Sequence, residues 1–418
     1  MKALRLAATA SILVIALECA ALDWPQWRGP DRSGVSTERG LLKAWPDGGP
    51  KRLWLYENAG AGYSAPAIAG GKYHTLGTRD GHEILLVLDA ATGRELWLAK
   101  LGRVHDDNRG DGPRGTPTID GDRAYALTGP GNLVCVSLTD RKVVWEVAMS
   151  SLGGQVPRWG YSESVLVDGN QVVCTPGGAR GALAAFDKLT GKLRWQSKDF
   201  NDPAHYSSIV PATIHGQAQY VQRTEKSVVG ISPRDGALLW LAEFPGRTAV
   251  VPTPIVRGNA VYVTAGYGAG SKLLRIEPGN QVTTVYENKV MKNHHGGVVL
   301  VGDHLYGHND MAWICQDFTT GAEVWSHKGP GKGAVATADG MLYCLDETNG
   351  HVVLAEATPA GWTERGRFKL DPQTKVRSPR GGIWTHPVIS HGRLYLRDQD
   401  LISCYDIKAP ARTADASR

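Results

Sequence analysis

Cysteine is scarce in this 418-residue chain, which holds six. Cys19 falls in an apolar N-terminal stretch. The other five, Cys135, Cys174, Cys315, Cys344 and Cys404, lie singly in apolar runs such as "LVCVSL" and "MLYCLD". An odd, scattered set is no disulfide framework, so these thiols read as small buried hydrophobes. There is no CxxC, no CxxCH and no adjacent pair, which excludes a dithiol redox motif, attached haem and a vicinal disulfide. A strong charge of one sign is lacking too, because a net charge of +5 is too mild to indicate nucleic acid. No stretch sustains a helical period, so helical and α/β classes fall away. The one long apolar run, from about Ala7 to Leu17, follows Lys2 and Arg5 and precedes the small residues Cys19, Ala20 and Ala21. That is the layout of a secretory signal peptide over residues 1–21, too short to span a membrane. Lipidation on Cys19 needs a small residue where Glu18 stands. A soluble exported protein is therefore expected, with a lipoprotein as the second reading. Loss of Lys2, Arg5 and Glu18 takes the net charge from +5 to +4.

Glycine, by contrast, is abundant at 51 residues, and it recurs at regular places between short β-type runs. Aromatic residues close each unit at Trp54, Trp97, Trp145, Trp195, Trp240, Tyr286, Trp325 and Phe368. The period of roughly 45 residues is that of a four-stranded unit. From Ser64 onward the unit reads "APAIAG", "GKYHTLG", "HEILLVLDA", the tight turn "ATG", and "RELWLAKL". Glycine turns that join the first two runs return in "IDGDR", "VDGNQ", "VRGNA", "ADGML" and "SHGRL", supplying the positive φ that a two-residue hairpin requires. Units begin near Ser64, Gly115, Ser162, Ser207, Val251, His295, Gly333 and Thr385, which makes eight. The eighth holds three strands only, while "PKRLWLYEN" (50–58) is a fourth strand without its partners. Joining them closes an eight-bladed β-propeller and removes the edges that an open array would expose. The expected organisation is an irregular segment packed on the propeller over 22–50, the propeller over 51–410 and a disordered tail over 411–418. Trp54, Trp97, Trp145, Trp195, Trp240 and Trp325 are expected to dock each blade on the next. Tyr286 and Phe368, as degenerate copies, are expected to dock less firmly. Trp24, Trp27 and Trp45 are expected to fasten the N-terminal segment.

The recurring D-x-x-T-G-x-x-x-W ending, as in "DAATGRELW" and "DKLTGKLRW", resembles the tryptophan-docking repeat of the quinoprotein alcohol dehydrogenases and of the related propeller lipoprotein of outer-membrane assembly. The resemblance covers residues 51–409. It implies the fold, but not the activity, because that superfamily includes enzymes and non-enzymatic scaffolds.

Chemistry is expected in the links between blades and the second-to-third turns, which share one face. Seven links supply Arg103, Arg109, Arg114, Arg158, Arg247, Lys292, Lys332, Lys375, Arg377 and Arg380 against Asp106, Asp107, Asp111, Glu163 and Asp202, so positive charge is expected to concentrate there. Ligand-binding candidates are Arg109, Arg114, Arg158, Tyr161, Glu163, His205, Tyr206, His294, His295, Lys332, Arg380, Trp384 and His386. Glu163 is the candidate general base if there is catalysis. No metal site is expected, since His294 and His295 have no third ligand at a zinc-type spacing. The primary reading is a non-catalytic, monomeric exported propeller that binds a protein, glycan or small anion, with no cofactor. The alternative implied by the resemblance is a pyrroloquinoline quinone (PQQ) dehydrogenase of alcohols or sugars, with PQQ and Ca²⁺ at the channel mouth. Against it stand the missing cysteine pair and the short chain. Ring closure makes one prediction: deletion of residues 48–58 abolishes cooperative folding, read as loss of the sharp melting transition, and a stable, soluble truncation contradicts it.

Overall fold

The D-x-x-T-G turn forms for a local electrostatic reason. Asp89 Oδ1 accepts hydrogen bonds from the amides of Ala91 and Thr92 and from Thr92 Oγ1, and Asp187 and Asp317 repeat this arrangement. Each turn therefore folds on its own carboxylate and delivers the outer strand antiparallel to the third. In a computed structural model, which describes residues 23–410, eight such four-stranded sheets follow one another around a ring. The expected signal peptide and tail lie outside the described residues.

Blades 1 to 7 occupy residues 67–103, 118–148, 166–196, 210–243, 255–288, 298–327 and 333–369. Blade 8 takes three strands from Val388–Ser390, Arg393–Asp398 and Leu401–Asp406, and its outer strand from Arg52–Tyr56. Trp54 lies opposite Cys404 in this closing ladder. The five cysteines are free and buried.

The aromatic residues dock as their spacing implies, with informative differences. Trp195 lies between the third and fourth blades among Leu166, Val173, Tyr220 and Val229, and its Nε1 donates to the Pro233 carbonyl at 3.0 Å. It covers Gly236, whose φ is +75° and where an added Cβ would lie 2.4 Å from the indole. Trp54 and Trp145 dock in the same way, donating to the carbonyls of Ala90 and Lys188, while Trp325 donates to Thr358. In blade 2, Arg141 (φ 59°) stands where the turns of blades 1, 3, 4 and 6 have Gly93, Gly191, Gly236 and Gly321, and Trp97 remains half-buried. Trp240 turns instead onto Gln219 of its own blade, 2.5 Å from Nε1 to Oε1. Tyr286 and Phe368 do not dock in a lesser way: they cover Gly321 and Gly49 as the indoles cover theirs, 2.6 Å from a hypothetical Cβ. Gly49 belongs to the stretch that opens the closing strand, so the N-terminal segment supplies blade 8 with both its outer strand and its docking turn.

The segment 23–45 does more than pack on the outside. Trp24 bridges Ile68 of blade 1, and the Pro25 carbonyl accepts from Ile119 of blade 2. Arg32 crosses the channel to the carbonyls of Ser164, Val165 and Ile209, ahead of blades 3 and 4. Trp27 donates to Thr253 Oγ1 before blade 5, and Arg28 donates to the Val298 carbonyl of blade 6. Val35–Ser36 adds a parallel strand to blade 7, and Glu38 accepts the Gly392 amide of blade 8. The strap thus touches every blade and closes the channel from the face of the first-to-second turns.

Glu163 is buried beside this strap, accepting from the Thr175 amide at 2.6 Å and from Thr175 Oγ1 at 3.2 Å. Burial pushes its carboxyl up to about 8, with the Thr175 amide and Arg32 pulling the other way.

Two outcomes follow for stability. Trp195→Ala is expected to cost roughly 3–5 kcal/mol and Gly236→Ala about 1–3 kcal/mol. In urea unfolding, the double variant should lose less than the sum by about 1 kcal/mol, because the clash disappears with the indole; strict additivity contradicts the docking geometry. The folded state also holds the Glu163 proton to higher pH than the unfolded chain, whose carboxyl titrates near 4.5. Wild-type stability should therefore fall as pH rises from 4.5 towards 8. Glu163→Gln removes that loss, so its thermal stability should exceed wild type by about 1 kcal/mol or more at pH 8 and by little at pH 5. An advantage that does not grow with pH contradicts the assignment.

Candidate functional site

The inter-blade links converge opposite the strap and enclose a pocket of about 720 Å³ at the channel mouth. Its floor includes Trp27 of the strap, and its walls carry Tyr63, Arg109, Arg114, Trp159, Tyr206, Tyr267, His294, His295, Lys332, Glu347, Arg377, Arg380, Trp384 and His386. Because the strap closes the far side, the channel is a blind cup.

One wall is a continuous run of rings. Tyr267 meets His294 edge-on at 4.5 Å, and His294 stacks on His295 at 3.6 Å. His295 lies 4.5 Å from Trp384, and Trp384 lies 4.9 Å from Tyr63. The Arg114 guanidinium covers the other end, 5.4 Å from the Tyr63 centroid. On the floor, Trp27 and His386 are 4.7 Å apart. Such a strip offers flat apolar surface with negative ring faces.

The imidazoles are neutral. Desolvation, with His295 and Lys332 adding repulsion, pushes His294 down to about 2, and burial takes His295 and His386 to about 3. His294 Nδ1 lies 2.8 Å from Lys332 Nζ. An ammonium only donates, so Nδ1 accepts and Nε2 carries the proton. That Nε2 is buried without a partner, as are His295 Nδ1 and Glu347 Oε2, which face each other at 3.8 Å. Burial raises the Glu347 carboxyl, and Lys332 opposes the rise.

The cations divide into spent and free. Lys332 pairs with Asp310 at 2.8 Å and sits 3.8 Å from Glu347. Arg377 pairs with Asp398 at 2.5 Å. Arg114 donates to the Gly110 and Gly112 carbonyls and lies 3.8 Å from Asp107. The Arg109 guanidinium reaches the Arg380 carbonyl, at 3.4 Å. Among the described residues, neither Arg109 nor Arg380 has a carboxylate within ion-pair distance.

Nine of the thirteen sequence candidates line the pocket: Arg109, Arg114, Tyr206, His294, His295, Lys332, Arg380, Trp384 and His386. Four do not. Tyr161 is buried and donates to the Pro176 carbonyl. Glu163 points into the interior, so the placement of a general base at the mouth is corrected. His205 accepts the Val250 amide through Nδ1, and Arg158 lies over Trp159 on the outer rim, 5.0 Å from its ring. The expected positive excess is also smaller than the links alone imply, because Asp310, Glu347 and Asp398, from the second-to-third turn regions, neutralise Lys332 and Arg377. Sequence reasoning missed Tyr63, Trp159, Tyr267 and Glu347, and gave Trp27 a fastening role alone. Trp159 stands beside Arg158 in a link already singled out for its composition, which was the available signal, whereas the link that holds Tyr63 carried none.

The donor set does not fit a calcium-assisted quinone. Among the described residues Glu347 is the sole carboxylate on the wall, it is buried beside Lys332, and a hard cation needs six or more oxygens. Among the described residues no group of three or more His, Cys, Asp or Glu converges.

Similar architecture occurs in solved structures. The BamB of Moraxella catarrhalis superposes with a TM-score of 0.61 at 15% identity, covering 86% of this chain and 98% of that one. A quinohemoprotein alcohol dehydrogenase from Comamonas testosteroni gives 0.65 at 11% identity, covering 96% and 82%. At these identities the likeness establishes the fold. Two curated relatives carry the name outer membrane protein assembly factor BamB. That of Burkholderia pseudomallei is 24% identical over 182 residues, or 43% of each chain. That of Shewanella oneidensis is 25% identical over 250 residues, or 56% of each. The chain thus spans about half the length of the curated relatives it matches. The family profile described as outer membrane protein assembly factor BamB matches residues 81–327, more than half of the chain, and with its PQQ-like docking repeats this protein belongs to that family.

Proposed function

We propose that this protein is an exported, non-catalytic scaffold that receives a partner at the channel-mouth pocket, and that it serves outer-membrane protein assembly as its named relatives do. The observation that carries this reading is the pair Arg109 and Arg380, exposed at the mouth with no carboxylate of their own, where a partner's negative charge completes them. The pocket's chemistry supports binding over turnover. A general base works best with a pKa near the operating pH, whereas His294, His295 and His386 are held neutral far below it. The dehydrogenase reading is not favoured, since the donor set does not fit its metal. The signal-peptide layout and the family support export.

In affinity capture from the host's own envelope, the wild-type protein should enrich an outer-membrane assembly component, and Arg109→Ala with Arg380→Ala should weaken that capture about tenfold, or 1.4 kcal/mol. Indifference to both changes removes the pocket from the reading. Calorimetry with PQQ and Ca²⁺ should give no heat, and a dye-linked alcohol assay no turnover; heat with turnover replaces the scaffold by the enzyme.

A further inference from the structure

The base of the pocket has an unusual demand for hydrogen bonds. His294 Nε2 is a donor by elimination, because Nδ1 accepts from Lys332. Glu347 Oε2 is an acceptor, and His295 Nδ1 stands 3.8 Å from it, too far for a direct bond. All three atoms are buried and unpartnered, and His294 is only 8% exposed. A buried polar atom left unpaired costs about 1–3 kcal/mol, so these atoms favour a ligand that satisfies them together. A carboxylate offers acceptors only, an ammonium offers donors only, and an alkyl group offers neither. A hydroxyl both donates and accepts, and two neighbouring hydroxyls bridge a donor and an acceptor set side by side.

The rings beside these atoms add a second constraint. Trp384 and His295, 4.5 Å apart, present one apolar wall, and the C–H edges of a pyranose ring carry the slight positive charge that an aromatic face attracts. Above the wall stand the two unpaired guanidiniums. The Arg109 carbonyl accepts from Tyr63 Oη at 2.5 Å and the Arg109 guanidinium lies 3.4 Å from the Arg380 carbonyl, so both cations stand together on the pocket wall beside the aromatic strip.

We propose that the pocket binds an acidic saccharide, with the sugar ring against Trp384, its hydroxyls bridging His294 Nε2 and Glu347 Oε2, and its carboxylate between Arg109 and Arg380. The proposal rests on the scaffold reading in that it uses the same pocket, and it names the ligand class. The saccharide hydroxyls would supply the bonds these atoms lack, and its ring and carboxylate would add apolar contact and charge.

The test is titration calorimetry of the full chain with trigalacturonate, with the neutral galactose trimer, and with triglutamate as an acidic peptide. Trigalacturonate should bind, the neutral trimer about tenfold more weakly, and triglutamate more weakly still. Arg109→Ala with Arg380→Ala should bring trigalacturonate down to the level of the neutral trimer. Trp384→Ala should remove binding and the saturation transfer to sugar-ring protons, while Trp384→Phe retains part of both, which separates loss of the ring face from misfolding. No saccharide binding at millimolar concentration overturns the proposal. So does equal binding of both trimers, triglutamate binding as tight as trigalacturonate, or affinity unmoved by Trp384→Ala. If the capture of an assembly component still depends on Arg109 and Arg380 while no saccharide binds, the ligand class is wrong and the scaffold reading stands. If neither depends on them, both fail.

Discussion

The antiparallel ladder between Arg52–Tyr56 and Leu401–Asp406 is the pairing on which the rest depends. Without it eight sheets form an arc with two open edges, and open edges recruit other strands. With it, the arc becomes a ring, and the link that precedes blade 1 is brought beside the link that precedes blade 8. Tyr63 and Arg109 come from one side of that closure, Arg380 and Trp384 from the other. The pocket therefore straddles the seam, and its two free cations meet only because the first and last parts of the propeller share a sheet. Contacts of this sequence separation carry a loop-closure cost that the paired strand must offset, so the binding surface and the closed ring depend on the same pairing.

The strap adds a second closure of different character. Among the described residues neither Arg28 nor Arg32 forms an ion pair, and burial lowers both to about 10, with Glu163 opposing the fall at Arg32. Arg32 donates to the carbonyls of Ser164, Val165 and Ile209 at the blade starts and to Gln26 Oε1, and Arg28 to those of Ser33 and Val298. A guanidinium offers five donors in a fixed plane, so one side chain ties the starts of neighbouring blades in a way that a lysine could not reproduce. Trp27 then covers the inner end of the cup, which is why the mouth is a pocket and not a pore.

Much of the fold was legible because turn chemistry and strand periodicity are local. The aspartate, threonine and glycine of the turns at 89–93, 187–191 and 317–321, and the tryptophan four positions on, are read directly from the chain, and so is the strand missing from blade 8. The site was legible only to the level of the link. In extended backbone successive side chains point opposite ways. Ser162 and Ser164 line the pocket while Glu163 between them faces the interior, and Tyr206 lines it while His205 turns to a backbone amide. A shift of one residue inverts such an assignment, and nothing in the composition of "GYSES" or "AHYSS" sets the phase. Electrostatics failed for another reason: Asp310, Glu347 and Asp398 are distant in sequence from the cations they neutralise. Trp27 carried no signal, because a strap that crosses a channel has no repeat to be compared with.

The path of the strap also sets a direction. Asp23 is held by the Gly70 amide and by His391, both in first-to-second turns, so the chain enters the propeller on the face opposite the pocket. An attachment made there would point the open cup away from the surface that holds it, towards whatever arrives from the other side.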